Sequence, residues 1–251
     1  MQSELQFPHL AQYRVSHLKH GEFYYYPGFI SNPQEIFDEL IRYVEFEQGY
    51  VKMLGQIRPE RRQSQMFGED GVGYEYAGRK IQSVPFPQCL IAVKSWLEVT
   101  TGYRFVSCLA NYYGDGTAGI GWHSDKEKVL LPDAPIASVS LGCPRFFDLR
   151  PGGHRGKLDG SIDCTLPWQP PIAIERRNKP NPTPKKLRME LAPGSLLIMG
   201  RGSQGYYQHH VPKQETLVWK PPKGVEMAPP KGEEQKYARI NLTFRVLRNY
   251  N

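Results

Sequence analysis

The chain has 251 residues, 39% hydrophobic and 12% aromatic, enough to bury a substantial core without the disulfide or metal staples of a small scaffold. A formal net charge of +7 and a pI near 9.1 favour a polyanionic partner, because phosphates neutralised by Lys and Arg release counterions. No apolar run approaches the ~20 residues that span a bilayer, MQSELQFPHL lacks a signal-peptide layout, and Cys89, Cys108, Cys143 and Cys164 form no CxxC pair, so the expectation is a soluble, intracellular protein with reduced thiols.

In chain order, Tyr24-Tyr25-Tyr26 before Pro27-Gly28 reads as the start of the fold, packing against the strands of the later chain. Residues 33–46 place Pro33 at a first helical position and Ile36, Phe37, Leu40, Ile41 and Val44 at helical spacing, which predicts an amphipathic helix. A second helix is predicted over 87–102, with Leu90, Val93 (or Ala92), Trp96 and Leu97 on one face and Gly102 as its stop. From residue 103 the texture changes to short runs rich in β-branched and aromatic residues, among them YRFVSCLANYY, IASVSLG, RFFDLR, SLLIMG, YYQHHV and ARINLTFRVL. Turns such as Gly114-Asp115-Gly116 and Ala192-Pro193-Gly194 separate them, which predicts an antiparallel barrel or jelly roll. Two Pro-rich, cationic interruptions, 151–185 and 219–236, read as loops rising from that barrel. The division expected is 1–102 as an N-terminal extension and 103–251 as the core, one catalytic domain overall.

The chemistry starts from GIGWHSDKE, residues 119–127. His123 and Asp125 point to one side of an extended piece, and two imidazoles with one carboxylate make the face that a non-haem Fe(II) oxygenase needs. YYQHHVPK supplies the second imidazole as His209 or His210, which a strand turns to opposite faces. ARINLTFR sets Arg239, Asn241, Thr243 and Arg245 on one strand face, and two inward arginines are costly without anions. Core carboxylates would satisfy them, and so would a bound 2-oxoglutarate, together with Asn111 and Tyr113 of LANYYGDG. A zinc hydrolase would leave the two arginines unexplained, and a zinc base deaminase expects His-x-Glu and Pro-Cys-x-x-Cys, whereas the motif here is His-Ser-Asp and Cys143-Pro144 runs in the wrong order.

NYYGDG, WHSDKE, IASVSLG, RFFDLR, LAPGSLLIMG, QHHVPK and ARINLTFR, in this order, resemble the AlkB family of Fe(II)/2-oxoglutarate-dependent dioxygenases, in texture the animal-type DNA-repair homologues. The resemblance covers about residues 55–247. It implies an α+β, mostly β fold: a double-stranded β-helix (jelly-roll) core, N-terminal helices packed on the major sheet, and a nucleotide-recognition lid. It selects His209 over His210 and so implies His123, Asp125 and His209 as the iron ligands and catalytic residues. It gives Arg239, Asn241 and Tyr113 to the distal carboxylate of 2-oxoglutarate, and Arg245 with Asn111 to the carboxylate that chelates iron. Fe(II), 2-oxoglutarate and O2 are the implied cofactors. The implied reaction yields succinate and CO2 while an N-alkyl carbon is hydroxylated, and the hemiaminal then loses formaldehyde.

Segment 57–78, IRPERRQSQMFGEDGVGYEYAG, resembles the family's lid, with Tyr76 at the aromatic that stacks on a flipped base opposite His123. Glu127 matches an acid near the exocyclic amine of 1-methyladenine or 3-methylcytosine, or else is a solvated loop residue. Arg58, Arg61 and Arg62 are candidates to clamp phosphate, with a solvated basic loop as the alternative. Arg176, Arg177, Lys179, Lys185, Lys186 and Arg188 form a further cationic cluster, read either as gripping a second strand or flank or, equally, as a disordered loop. The partner implied is alkylated nucleic acid, DNA over RNA, with no membrane, and the protein is expected to be a monomer in the nucleus of a eukaryote or otherwise the cytoplasm. Methylated RNA, a protein side chain, or a metal-free nucleic-acid-binding barrel are the competing readings.

Overall fold

Alternation along a strand decides which residues meet which layer, and a computed structural model of the chain shows those layers. It describes residues 4–53, 55–69, 72–76, 79–152, 162, 172–174, 186–218, 220 and 235–248, with backbone alone at 52, 53, 73–76, 79–81 and 172–174. The strands are β1 Phe23–Tyr26, β2 Glu47–Met53, β3 Gln56–Gly68, β4 Gly73–Tyr76, β5 Arg79–Gln82, β6 Ser107–Tyr113 and β7 Ile120–His123. They continue as β8 Ile136–Gly142, β9 Arg145–Pro151, β10 Ile172–Ile174, β11 Leu187–Leu191, β12 Leu196–Met199, β13 Tyr207–Val211 and β14 Arg239–Arg245. The helices are α1 Pro33–Tyr43, α2 Gln88–Thr101 and the one-turn α3 Ser203–Tyr206.

Antiparallel pairing builds a seven-stranded sheet, β1-β12-β8-β14-β6-β3-β2, and a five-stranded sheet, β10-β11-β9-β13-β7. Phe23, Leu197 and Met199 of the first meet Phe147, Leu149 and Met189 of the second in one core, the jelly roll expected from the sequence. The opposite face of the larger sheet is covered by the helices. Ile36, Phe37 and Leu40 of α1 and Leu90, Val93 and Leu97 of α2 pack with Cys108, Ala110, Val139, Leu141, Ile240, Leu242 and Phe244. Burying each large apolar side chain there contributes roughly 1.5–3 kcal/mol. The triple tyrosine run lies in β1, which pairs with β12 and so packs against the barrel, but the fold opens earlier, with a 3-10 turn at Pro8–Tyr13 and with Phe7 and Leu10 already in the core.

Both helices differ in detail from their sequence reading. α1 stops at Tyr43 because Val44 is already extended (φ −103°, ψ 124°). α2 ends where predicted, with Gly102 left-handed at φ 72° and its N–H on Glu98 O. Its buried stripe, however, is Leu90, Val93, Leu97 and Thr101. Trp96 is 47% exposed, since 3.6 residues per turn carries it about 120° around the axis from Leu90. Most of the two Pro-rich interruptions lies outside the described residues, as do Arg176, Arg177, Lys179 and Lys185. Lys186 and Arg188, expected to grip nucleic acid, instead engage buried Asp148: Arg188 Nε and Nη2 donate to it at 2.6 and 2.9 Å, and Lys186 Nζ at 3.2 Å. Among the described residues no helix is long and apolar enough to cross a membrane.

Candidate metal centre and cosubstrate cavity

β7 and β13 lie side by side in the smaller sheet, in a register that sets His123 directly opposite His209. Their ring centroids are 4.1 Å apart. Asp125 follows two residues beyond β7, its backbone N–H fixed by Gln204 Oε1 at 2.9 Å. One donor atom from each of His123, Asp125 and His209 lies within 4.8 Å of the others, which fits a metal ion by donor type and spacing. His123 Nδ1 faces Gly121 O at 2.8 Å. A carbonyl only accepts, so Nδ1 carries the proton and Nε2, 3.8 Å from Asp125 Oδ1, keeps its lone pair for a metal.

Electrostatics set the protonation states of the other two donors. Burial pushes the His209 pKa down to about 3, helped by His123 and Arg245 and opposed by Asp125, so the imidazole is neutral at physiological pH. Burial alone would raise the Asp125 pKa, but Arg245, His209, His123 and Arg62 together hold it below the usual carboxylate range. Phe147 stacks on His209 at 5.4 Å. His210 turns to the other face, where it stacks on Trp122 at 4.8 Å and its Nδ1 lies 3.5 Å from Asp148 Oδ2. The strand thus brings His209, and not His210, to the other two donors.

β14 is the central strand of the larger sheet and runs beside this trio. Its odd-numbered residues face the cavity and its even-numbered ones the helices, so Arg239, Asn241, Thr243 and Arg245 are all buried on one side. Arg245 Nη2 is 3.7 Å from Asp125 Oδ2. Asn241 Nδ2 donates to Ser138 Oγ at 2.9 Å, and Arg239 Nη2 to Ser140 Oγ at 3.0 Å. The Nε and Nη1 of Arg239 have no hydrogen-bond partner among the described residues. Burial lowers its pKa to about 10, which leaves it charged at neutral pH. The Tyr113 ring sits between two buried cations, 5.3 Å from Arg239 and 5.7 Å from Arg145. Orphaned donors on a buried cation are what a carboxylate ligand would satisfy, so the residues present fit a dicarboxylate.

Not every expected residue converges on this cavity. Arg58 and Arg61 are exposed and line an open groove with Trp122, His123 and Lys213. Arg62, grouped with them from sequence, is instead only 6% exposed: alternation on β3 turns it inward, where Nε donates to Asn111 Oδ1 at 2.9 Å. Glu127 lines a separate cavity with Leu130, Pro132, Ser203 and Arg248. Asp125 is the wall it shares with the cavity of His123 and His209. Glu127 Oε2 is buried there with no partner among the described residues. Tyr76 closes β4, and its side chain lies outside the described residues.

Four further residues support the site without having been singled out from sequence. Ser138 and Ser140 alternate with Ala137, Val139 and Leu141, a period-two signal that marks them as inward. Arg145, fully buried, donates to Asp115 O, Ala118 O, Pro212 O and Gln214 Oε1, tying together the loops that follow β6 and β13. Gln204 has no comparable sequence signal.

A jelly roll with two imidazoles and a carboxylate beside buried cations defines a class, the metal-dependent oxygenases that use a dicarboxylate cosubstrate. Comparison with known proteins agrees with that class. The family described as the 2OG-Fe(II) oxygenase superfamily matches residues 22–245. The chain is 30% identical over 216 residues to "DNA oxidative demethylase ALKBH2" of Mus musculus, covering 85% of this chain and 74% of the relative. The human protein of the same name is also 30% identical over 216 residues, with 68% of the relative covered. "Alpha-ketoglutarate-dependent dioxygenase alkB homolog 3" of Mus musculus is 28% identical over 227 residues, 88% of this chain and 65% of the relative. The chain therefore belongs to the 2OG-Fe(II) oxygenase superfamily and, within it, to the AlkB family. It is an oxidoreductase, and membership implies Fe(II), 2-oxoglutarate and O2.

Proposed function

We propose that the protein is an oxidative demethylase of N-alkylated bases, such as 1-methyladenine and 3-methylcytosine, in DNA. The observation that carries this reading is the joining of the His123, Asp125 and His209 donor set to the buried cations of β14, beside a groove rich in positive charge. The names of the similar proteins support DNA as the substrate. Iron, cosubstrate and oxygen supply the oxidising chemistry when bound.

The chain's own residues supply geometry and a dry setting. His123, Asp125 and His209 hold the metal on one face. Arg239 with Asn241 and Tyr113 takes the distal carboxylate, and Arg245 with Asn111 the proximal one. A base reaching the metal must leave the duplex stack, and the groove beside His123 suits a displaced strand. Arg58, Arg61 and Lys213 there suit phosphates, and Tyr76 stands as the base contact, while Glu127, across Asp125 in the neighbouring cavity, is not assigned to the base. We take the enzyme as a monomer, nuclear in a eukaryotic cell and otherwise cytoplasmic.

The test is to incubate purified protein, Fe(II), 2-oxoglutarate and oxygen with oligonucleotides bearing 1-methyladenine or 3-methylcytosine, as single- and double-stranded DNA and RNA. Formaldehyde is expected from DNA and none from Asp125→Ala. Absence of cosubstrate decarboxylation would sink the dioxygenase reading. Decarboxylation with release from RNA or a methylated peptide alone would move the substrate assignment there.

A further inference from the structure

Arg62 stands at the junction of two spaces. Its side chain lines the cavity that holds His123, Asp125, His209 and Arg245, and also the open groove that holds Arg58, Arg61 and Lys213. β3 pairs with β6 so that Ser64 is opposite Asn111, and alternation puts Arg62 on the same inner side. Arg61, one residue away, faces solvent.

We propose that Arg62 is a positioning residue for the cosubstrate: with Asn111 it orients the metal-proximal carboxylate of 2-oxoglutarate, and it does not hold a nucleic-acid phosphate. This role rests on the function proposed above. Its Nε occupies Asn111 Oδ1 at 2.9 Å, so the amide of Asn111 has its Nδ2 donors left for a ligand. An asparagine without that partner can flip and present its acceptor to a carboxylate instead. Charge supports the same assignment. Arg62 is 3.4 Å from Glu60 Oε1, and Arg245 is 3.7 Å from Asp125 Oδ2, so the two cations are matched by two carboxylates. A divalent metal then leaves an excess of positive charge inside the barrel, which a dianionic cosubstrate offsets. A phosphate in the groove would meet Glu60 beside Arg62, whereas Arg58 and Arg61 are exposed to it.

The experiment separates the two anions. Mn(II)-loaded protein is titrated with 2-oxoglutarate by calorimetry, and a single-stranded oligonucleotide is bound without cosubstrate over a range of salt. Arg62→Met is expected to weaken 2-oxoglutarate by roughly tenfold or more, as for loss of a charge-assisted contact, with oligonucleotide affinity and salt slope unchanged. Arg58→Ala and Arg61→Ala should do the reverse. Arg62→Lys, which keeps the charge and loses the planar fork, guards against a Met variant that fails to fold; it too should weaken the cosubstrate and leave the oligonucleotide alone. Unchanged cosubstrate affinity in either variant, or equal loss of both ligands, would overturn the proposal. Wild-type protein that binds no 2-oxoglutarate with Mn(II) would instead bring down the underlying reading of the site.

Discussion

His209 and His210 are chemically identical neighbours that the pleat of β13 sends to opposite faces. His209→Ala is therefore expected to abolish Mn(II) binding and turnover, while His210→Ala keeps most of both; calorimetry and formaldehyde release check this. The other face has its own anchor in Asp148, fully buried under Arg188, Lys186 and His210. Burial would raise its pKa, but the Arg188 hydrogen bonds, with His210 and Lys186, hold it well below the usual carboxylate range. A depressed carboxylate contributes stability that is present above its unfolded pKa and lost as pH falls towards the folded value. Asp148→Asn should accordingly cost roughly 3 kcal/mol at neutral pH, as for a broken buried pair. Its denaturant midpoint should also fall less than that of wild type on acidification below about pH 4, the ordinary Asp range.

At the end of β8, Gly142 sits at φ 78°, and a Cβ there would stand 2.5 Å from Ala238 O and 2.7 Å from the Phe37 ring of α1. Gly142→Ala should destabilise by roughly 1–3 kcal/mol through backbone strain and overpacking, read as a lower urea midpoint with an unchanged m-value. Element by element, legibility followed alternation. β14 could be read in full because every second residue is polar and every other one apolar, with both faces buried. β2 and β3 left no such trace: EQGYVKM and QIRPERRQSQMFG are mostly polar, since much of β3 is exposed. For the same reason Arg62 was indistinguishable from Arg58 and Arg61, because only pairing to β6 decides which of the three turns inward. Glu127 matched a motif, yet the loop after Asp125 carries it to a neighbouring cavity, a matter of loop path that spacing does not encode.

For the whole molecule, ligand linkage and charge give two readouts. A ligand that binds only the folded state at 100 times its Kd stabilises by about 2.7 kcal/mol, so Mn(II) with 2-oxoglutarate should raise the wild-type Tm and leave Asp125→Ala unmoved. Oligonucleotide binding should weaken linearly on a log–log salt plot, with the slope reduced by about one for each of Arg58, Arg61 and Lys213 removed and unchanged on loss of Arg62. The two-faced character of β14 has a last consequence, for folding fidelity. Sliding this strand by one residue would drive Arg239 and Arg245 among the helix-facing Leu and Phe side chains and turn Ile240, Leu242 and Phe244 into the polar cavity. Each uncompensated buried ion costs several kcal/mol, so the polar row that burdens the native barrel also rejects its nearest misaligned competitor.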